Sequence, residues 1–156
     1  MSGSPASDLP LTGRRLGIDV GSVRVGVALS DPYAIIASPL TTLPRDRGGS
    51  DQRAVADLVR EHEVVEVVVG LPLHLSGAQG AASEEASAYA VVVATMIEPV
   101  PVRLVDERLS TRAASAVLTA RGLDSRSQRS VVDQTAAAII LQSWLDRLAQ
   151  RRQESV

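Results

Sequence analysis

Leu16-Gly17-Ile18-Asp19-Val20-Gly21-Ser22-Val23-Arg24-Val25-Gly26-Val27-Ala28-Leu29-Ser30-Asp31 sets one aspartate in the middle of a glycine-laced, otherwise apolar strand. Leu16, Ile18 and Val20 alternate along the first half, and Val23, Val25, Val27 and Leu29 along the second. Residues 14–20 and 23–30 therefore read as two strands joined tightly at Gly21-Ser22. The opposite face carries Gly17, Asp19, Gly26 and Ala28, small residues suited to close approach by a ligand or by backbone. Asp19 is expected to face an open shelf there. An unpartnered buried carboxylate costs several kcal/mol, so Asp19 is protonated, paired with an arginine, or held for a cation.

Outward from this hairpin the pattern alternates. A third strand is expected over residues 33–40, then a polar loop over 41–50. A helix capped by Ser50 or Asp51 follows, with Val55, Leu58 and Val59 as its apolar stripe up to His62. Val64, Val65, Val67, Val68 and Val69 make a strand covered on both faces, which ends at Gly70-Leu71-Pro72. A long helix is expected over 82–97 and a strand over 102–105. That strand runs into Asp106-Glu107-Arg108-Leu109-Ser110-Thr111, where Ser110 or Thr111 would cap a helix ending at Gly122. The last helix shows Ala136, Ala137, Ile140, Trp144, Leu145 and Leu148 on one face. The order describes an α/β domain with a hairpin meander followed by βα units.

The chain has 156 residues, 45% hydrophobic and 22% charged, which suits one domain with its own core. Residues 1–12 are expected to be a disordered lead-in without a signal-peptide core, 13–150 the domain, and 151–156 a frayed tail. No apolar run is long enough to span a membrane. Absence of cysteine removes disulfides, thiolate metal sites and a cysteine nucleophile, and makes the cytoplasm the expected compartment. With only two histidines a metal would sit on oxygen. The net charge of −2 argues against a broad basic surface. All 16 positive charges are nonetheless arginine, the side chain that grips phosphate with two donors.

Four blocks in order carry a family likeness: Gly17-Ile18-Asp19-Val20-Gly21 with Arg24-Val25-Gly26-Val27-Ala28 and Ser30-Asp31; Val69-Gly70-Leu71-Pro72; residues 105–111; and Asp133 with Ala136-Ala137 and Ile139-Ile140-Leu141-Gln142. Together they resemble the YqgF family, also called RuvX, from about Arg14 to Asp146. The resemblance implies an RNase H-like fold related to the RuvC resolvase, with a mixed central sheet that starts as an antiparallel meander and is flanked by helices. It also implies a nuclease that processes the 5′ end of pre-16S ribosomal RNA, or one that resolves Holliday junctions in branched DNA. Asp19, Glu107 and Asp133 would be its catalytic carboxylates. Two features depart from the family pattern: Tyr89 stands where Phe is common, and the stretch 126–130 is less basic than usual.

Such acids suit phosphodiester hydrolysis, because divalent ions can activate a water and stabilise the leaving oxygen. Mg²⁺ or Mn²⁺ is the expected cofactor, with Asp19, Glu107 and Asp133 as ligands and Asp133 at the start of the last helix. Each acid has a plainer reading: Asp19 paired with Arg24, Glu107 solvated beside Arg108 or Arg112, and Asp133 serving the helix start. Asp106 is expected to orient its neighbours. Arg24, Arg108, Arg112, Arg126 and Arg129 are candidate phosphate contacts, while His74 is too isolated to act as a base and Trp144 reads as core. The rival readings are a phosphate-binding hairpin of the actin and sugar-kinase type, which needs a longer chain, and a non-catalytic RNA- or protein-binding factor. A junction resolvase would be a homodimer, whereas an RNA-processing nuclease can act as a monomer.

Overall fold

A computed structural model describes residues 10–73, 76–109 and 126–154. The expected helix from Ser110 or Thr111 to Gly122, together with Arg112 and His74, lies outside the described residues. Five strands, β1 (Arg15–Val20), β2 (Arg24–Ser30), β3 (Ala37–Pro44), β4 (Glu66–Leu71) and β5 (Val102–Asp106), form one sheet in the order β3-β2-β1-β4-β5. The first three are antiparallel, and β4 and β5 add in parallel beside β1. Helices α1 (Ser50–Glu61) and α2 (Ala81–Ile97) supply the crossovers, and α3 (Arg126–Glu154) covers the opposite face.

Alternation along the strands decides which layer each side chain enters. Leu16, Ile18, Val25, Val27, Val67 and Val69 pack with Val55, Val59, Tyr89 and Val93 of α1 and α2. Ala28, Val68 and Val105 face Ala137, Ile140, Leu141, Leu145 and Leu148 of α3. The valine run is thus buried on both faces, as its composition predicts.

The shelf opposite the apolar row is not open. It is the seat of α3. A Cβ on Gly17 would lie 2.7 Å from the Leu141 Cβ, and one on Gly26 would lie 2.0 Å from the main-chain oxygen of Asp133. The small residues beside Asp19 therefore admit helix backbone, the second of the two possibilities their size allows.

Several boundaries differ from expectation. β3 begins at Ala37 and runs through the residues expected to be loop, to Pro44. Residues 31–36 form a tight loop in which Asp31 accepts the amides of Tyr33, Ile35 and Ile36. The valine strand starts at Glu66 and continues to Leu71. Helix α1 is entered through Gly49, in the left-handed region at φ 83°, and its first amide, on Ser50, donates to the Asp46 carboxylate at 3.2 Å. Asp51, expected as a cap, is instead buried inside the first turn. Helix α3 runs through Arg151-Arg152 to Glu154, with Arg152 donating to the Leu11 carbonyl at 2.7 Å.

One charged cluster is deep in the interior. Arg15 and Glu66 are both fully buried and paired at 3.0 Å. Glu66 also accepts from Arg103 at 3.2 Å and from the Trp144 indole at 2.8 Å, while Arg15 donates to the carbonyls of Thr12 and Gly13. Arg15 also donates to the Pro10 carbonyl, so every side-chain nitrogen and oxygen of the pair has a partner, which makes its burial tolerable.

Candidate active site

Strand β1 carries Asp19 near its C-terminal end, and the turn Glu107–Leu109 directly after β5 carries Glu107. Because β4 pairs in parallel with both strands, these two ends open on the same side of the sheet. The Glu107 carboxyl meets the Asp19 carboxylate in a side-chain hydrogen bond. Burial pushes Glu107 up to about 8, helped by the charge of Asp19, its hydrogen bond and the charge of Asp106. Burial also raises Asp19, as does the negative charge of Asp133, while the hydrogen bond from Glu107 acts in the opposite sense. In this arrangement Glu107 holds the proton and Asp19 accepts it.

Asp133 reaches the site from α3. It lies about two turns inside the helix rather than at its start, because the helix begins at Arg126. Its main chain rests on Gly26, and its Oδ2 accepts the Arg24 Nε at 2.8 Å. Arg24 thus pairs with Asp133, whereas the plainer reading of the hairpin had paired it with Asp19. Beside Glu107, Arg108 is clamped by Asp106, with its main-chain N–H donating at 2.9 Å and its guanidinium at 2.6 Å. Asp106 therefore orients its neighbour, as expected, and these contacts hold Asp106 below the usual carboxylate range. Glu107 turns to Asp19. Arg126 and Arg129 lie in the first turns of α3.

Gly70 passes beneath the pair, where a Cβ would meet the Glu107 Oε1 at 2.7 Å. The strand exit at Gly70-Leu71-Pro72 therefore shapes the site. Sequence reading passes over Arg45 and Glu66 and takes Asp51 only as a helix cap. Only Tyr89, whose hydroxyl reaches Asp51, carried a signal, by standing where Phe is common.

The donor set suits a hard divalent cation, since it is all carboxylate oxygen with no sulfur or imidazole. Burial and the neighbouring carboxylates raise the proton affinity of Asp19 and Glu107, the cost that a cation in place of the proton would relieve. Among the described residues no group of three or more such side chains converges as a ready cage. Asp19 and Glu107 are joined to each other, and Asp133 is held by Arg24.

Residues 13–147 match the RuvX family, described as Holliday junction resolvase. The chain belongs to this family. It is 51% identical over 146 residues to a protein of Rhodococcus opacus (strain B4) named "Putative pre-16S rRNA nuclease", covering 91% of this chain and 82% of that one. A protein of the same name from Mycolicibacterium paratuberculosis is 54% identical over 145 residues, with 93% and 86% covered. Among solved structures, T. thermophilus RuvC in complex with Holliday junction substrate aligns with a TM-score of 0.56 at 18% identity, over 85% of this chain and 93% of that one. The fowlpox virus Holliday junction resolvase aligns with a TM-score of 0.52 at 14% identity, over 86% and 99%. The RuvX chain therefore has the RuvC-like, RNase H-type fold that its sequence motifs lead one to expect.

Proposed function

We propose that this RuvX chain is a divalent-metal-dependent nuclease that hydrolyses phosphodiester bonds in the 5′ leader of pre-16S ribosomal RNA, in the cytoplasm. The observation that carries the reading is the Asp19–Glu107 carboxyl pair, set at the ends of β1 and β5 on either side of β4, with Asp133 on its flank. The names of relatives at 51–54% identity favour the RNA substrate.

Asp19 and Glu107 would hold Mg²⁺ or Mn²⁺, with Asp133 completing the set from α3. The ion, when bound, supplies charge stabilisation and an activated water. Arg24, paired with Asp133, would meet a phosphate oxygen, and Arg108, paired with Asp106, another on the Glu107 side. Arg112, Arg126 and Arg129 would extend the contact along the nucleic acid.

The family's description favours a second reading, resolution of four-way DNA junctions, which calls for two copies cutting symmetry-related strands. Labelled 16S-precursor leader RNA and a four-way DNA junction, each incubated with Mg²⁺ or Mn²⁺, separate the two. Cleavage of the RNA alone supports ribosomal RNA processing, and cleavage of the junction alone supports resolution. Cleavage of neither overturns the nuclease reading in favour of a binding factor.

A further inference from the structure

Of the buried charged residues described, Arg15 and Glu66 satisfy each other near the start of β1, which leaves Asp51. The Asp51 Oδ2 accepts the Tyr89 hydroxyl at 2.9 Å and lies 3.7 Å from the Arg45 Nε, while its Oδ1 accepts the Asp46 amide at 3.3 Å. Arg45 stands over the Tyr89 ring, 5.3 Å from its centroid, and its Nη1 donates to Glu85 at 3.2 Å. Two helices and the end of β3 thus converge on one guanidinium.

The remaining contacts of Arg45 lead to the acid site. Its Nη1 donates to the Gly21 carbonyl at 2.9 Å, and its main-chain N–H donates to the Val23 carbonyl at 2.8 Å. Gly21 and Val23 belong to the turn that joins Asp19 on β1 to Arg24 on β2, closed by the Gly21 N–H on the Arg24 carbonyl at 2.9 Å. Residues 21–23 lie beyond the last β1–β2 pair, Val20–Val25, and small displacements of site residues are costly in rate.

We propose that Arg45 is a positioning residue for the acid site: braced by Asp51, Tyr89 and Glu85, it fixes the turn at residues 21–24 so that Asp19 and Arg24 keep their places opposite Glu107 and Asp133. The part that concerns catalysis rests on the nuclease reading. Tyr89 belongs to the brace because its hydroxyl donates to Asp51; burial and the neighbouring Asp51 raise its phenol far above the ordinary value, so it stays a donor. A phenylalanine at this position would leave Asp51 without that donor.

The test compares wild type with Arg45→Gln, Arg45→Lys and Tyr89→Phe by hydrogen exchange resolved along the chain, and by kcat, KM and Mn²⁺ activation on the leader RNA. In Arg45→Gln, amide exchange at residues 21–25 is expected to rise about tenfold with β4 unchanged, and kcat to fall about tenfold at constant KM. Arg45→Lys keeps the charge but not the fork and recovers part of both effects; Tyr89→Phe shows a smaller change in the same direction. Unaltered exchange in the turn, or a uniform rise across the whole sheet, overturns the proposal. A wild-type protein that cleaves nothing overturns the nuclease reading alone, and exchange at the turn still decides whether Arg45 fixes it.

Discussion

Arg24 on β2 and Asp133 on α3, 109 residues apart in sequence, meet at 2.8 Å across the mouth of the acid site. Their side chains are 35% and 23% exposed, so the pair adds little to stability, about 1 kcal/mol or less. Its effect is to keep one cation and one anion in place beside Asp19. Arg24→Met is expected to leave the denaturation midpoint nearly unchanged while cleavage falls by at least about tenfold. Urea titration and initial rates on one preparation check both halves.

The crowded carboxyls make the metal-free protein sensitive to alkali. Glu107 is raised from 4.5 to about 8 in the folded chain, so between those values the native state holds a proton that the unfolded state has released. Stability therefore falls as pH rises through that window, and its full contribution is present only below it. Melting temperatures taken in chelator from about pH 5 to about pH 9 should show this decline, and Glu107→Gln should flatten it.

Gly26 measures how closely α3 must sit. A methyl group there would be 2.0 Å from the Asp133 carbonyl oxygen, and main chain cannot swing aside as a long side chain can. Gly26→Ala should lift α3 locally, cost about 1–3 kcal/mol and move Asp133 away from the pair. Denaturant melts and cleavage rates together check this, and undiminished activity would place Asp133 outside the site.

The hairpin was legible in the sequence because strict alternation from Leu16 to Leu29 has only one reading, and the buried β4 because five valines crowd into six positions. The entry of α3 was not. Apolar periodicity begins only around Ala136, so the polar residues 126–130 carry no helix signal and Asp133 reads as lying at the helix start. Glycines that leave room do not say what fills it, so the shelf was legible but its occupant was not. The pairing of Glu107 with Asp19, and of Arg108 with Asp106, depends on side-chain directions at a strand end that no spacing encodes.

Glu66 gives a structural counterpart to the acid site. It is fully buried and accepts from Arg15, Arg103 and Trp144, so Glu66→Leu strands the Arg15 charge and should cost about 3–5 kcal/mol. Thermal melts check the loss. At a temperature where the variant remains folded, its cleavage per folded molecule should match wild type, since no contact of Glu66 reaches Asp19, Glu107 or Asp133.

The most direct measurement is Mn²⁺ titration of wild type, Asp19→Asn and, as a control on α1 far from the pair, Asp57→Asn, followed by calorimetry. Wild type and Asp57→Asn are expected to bind the ion, and a folded Asp19→Asn protein to have lost it. Equal binding by all three would contradict the assignment of Asp19 as the residue that holds the cation.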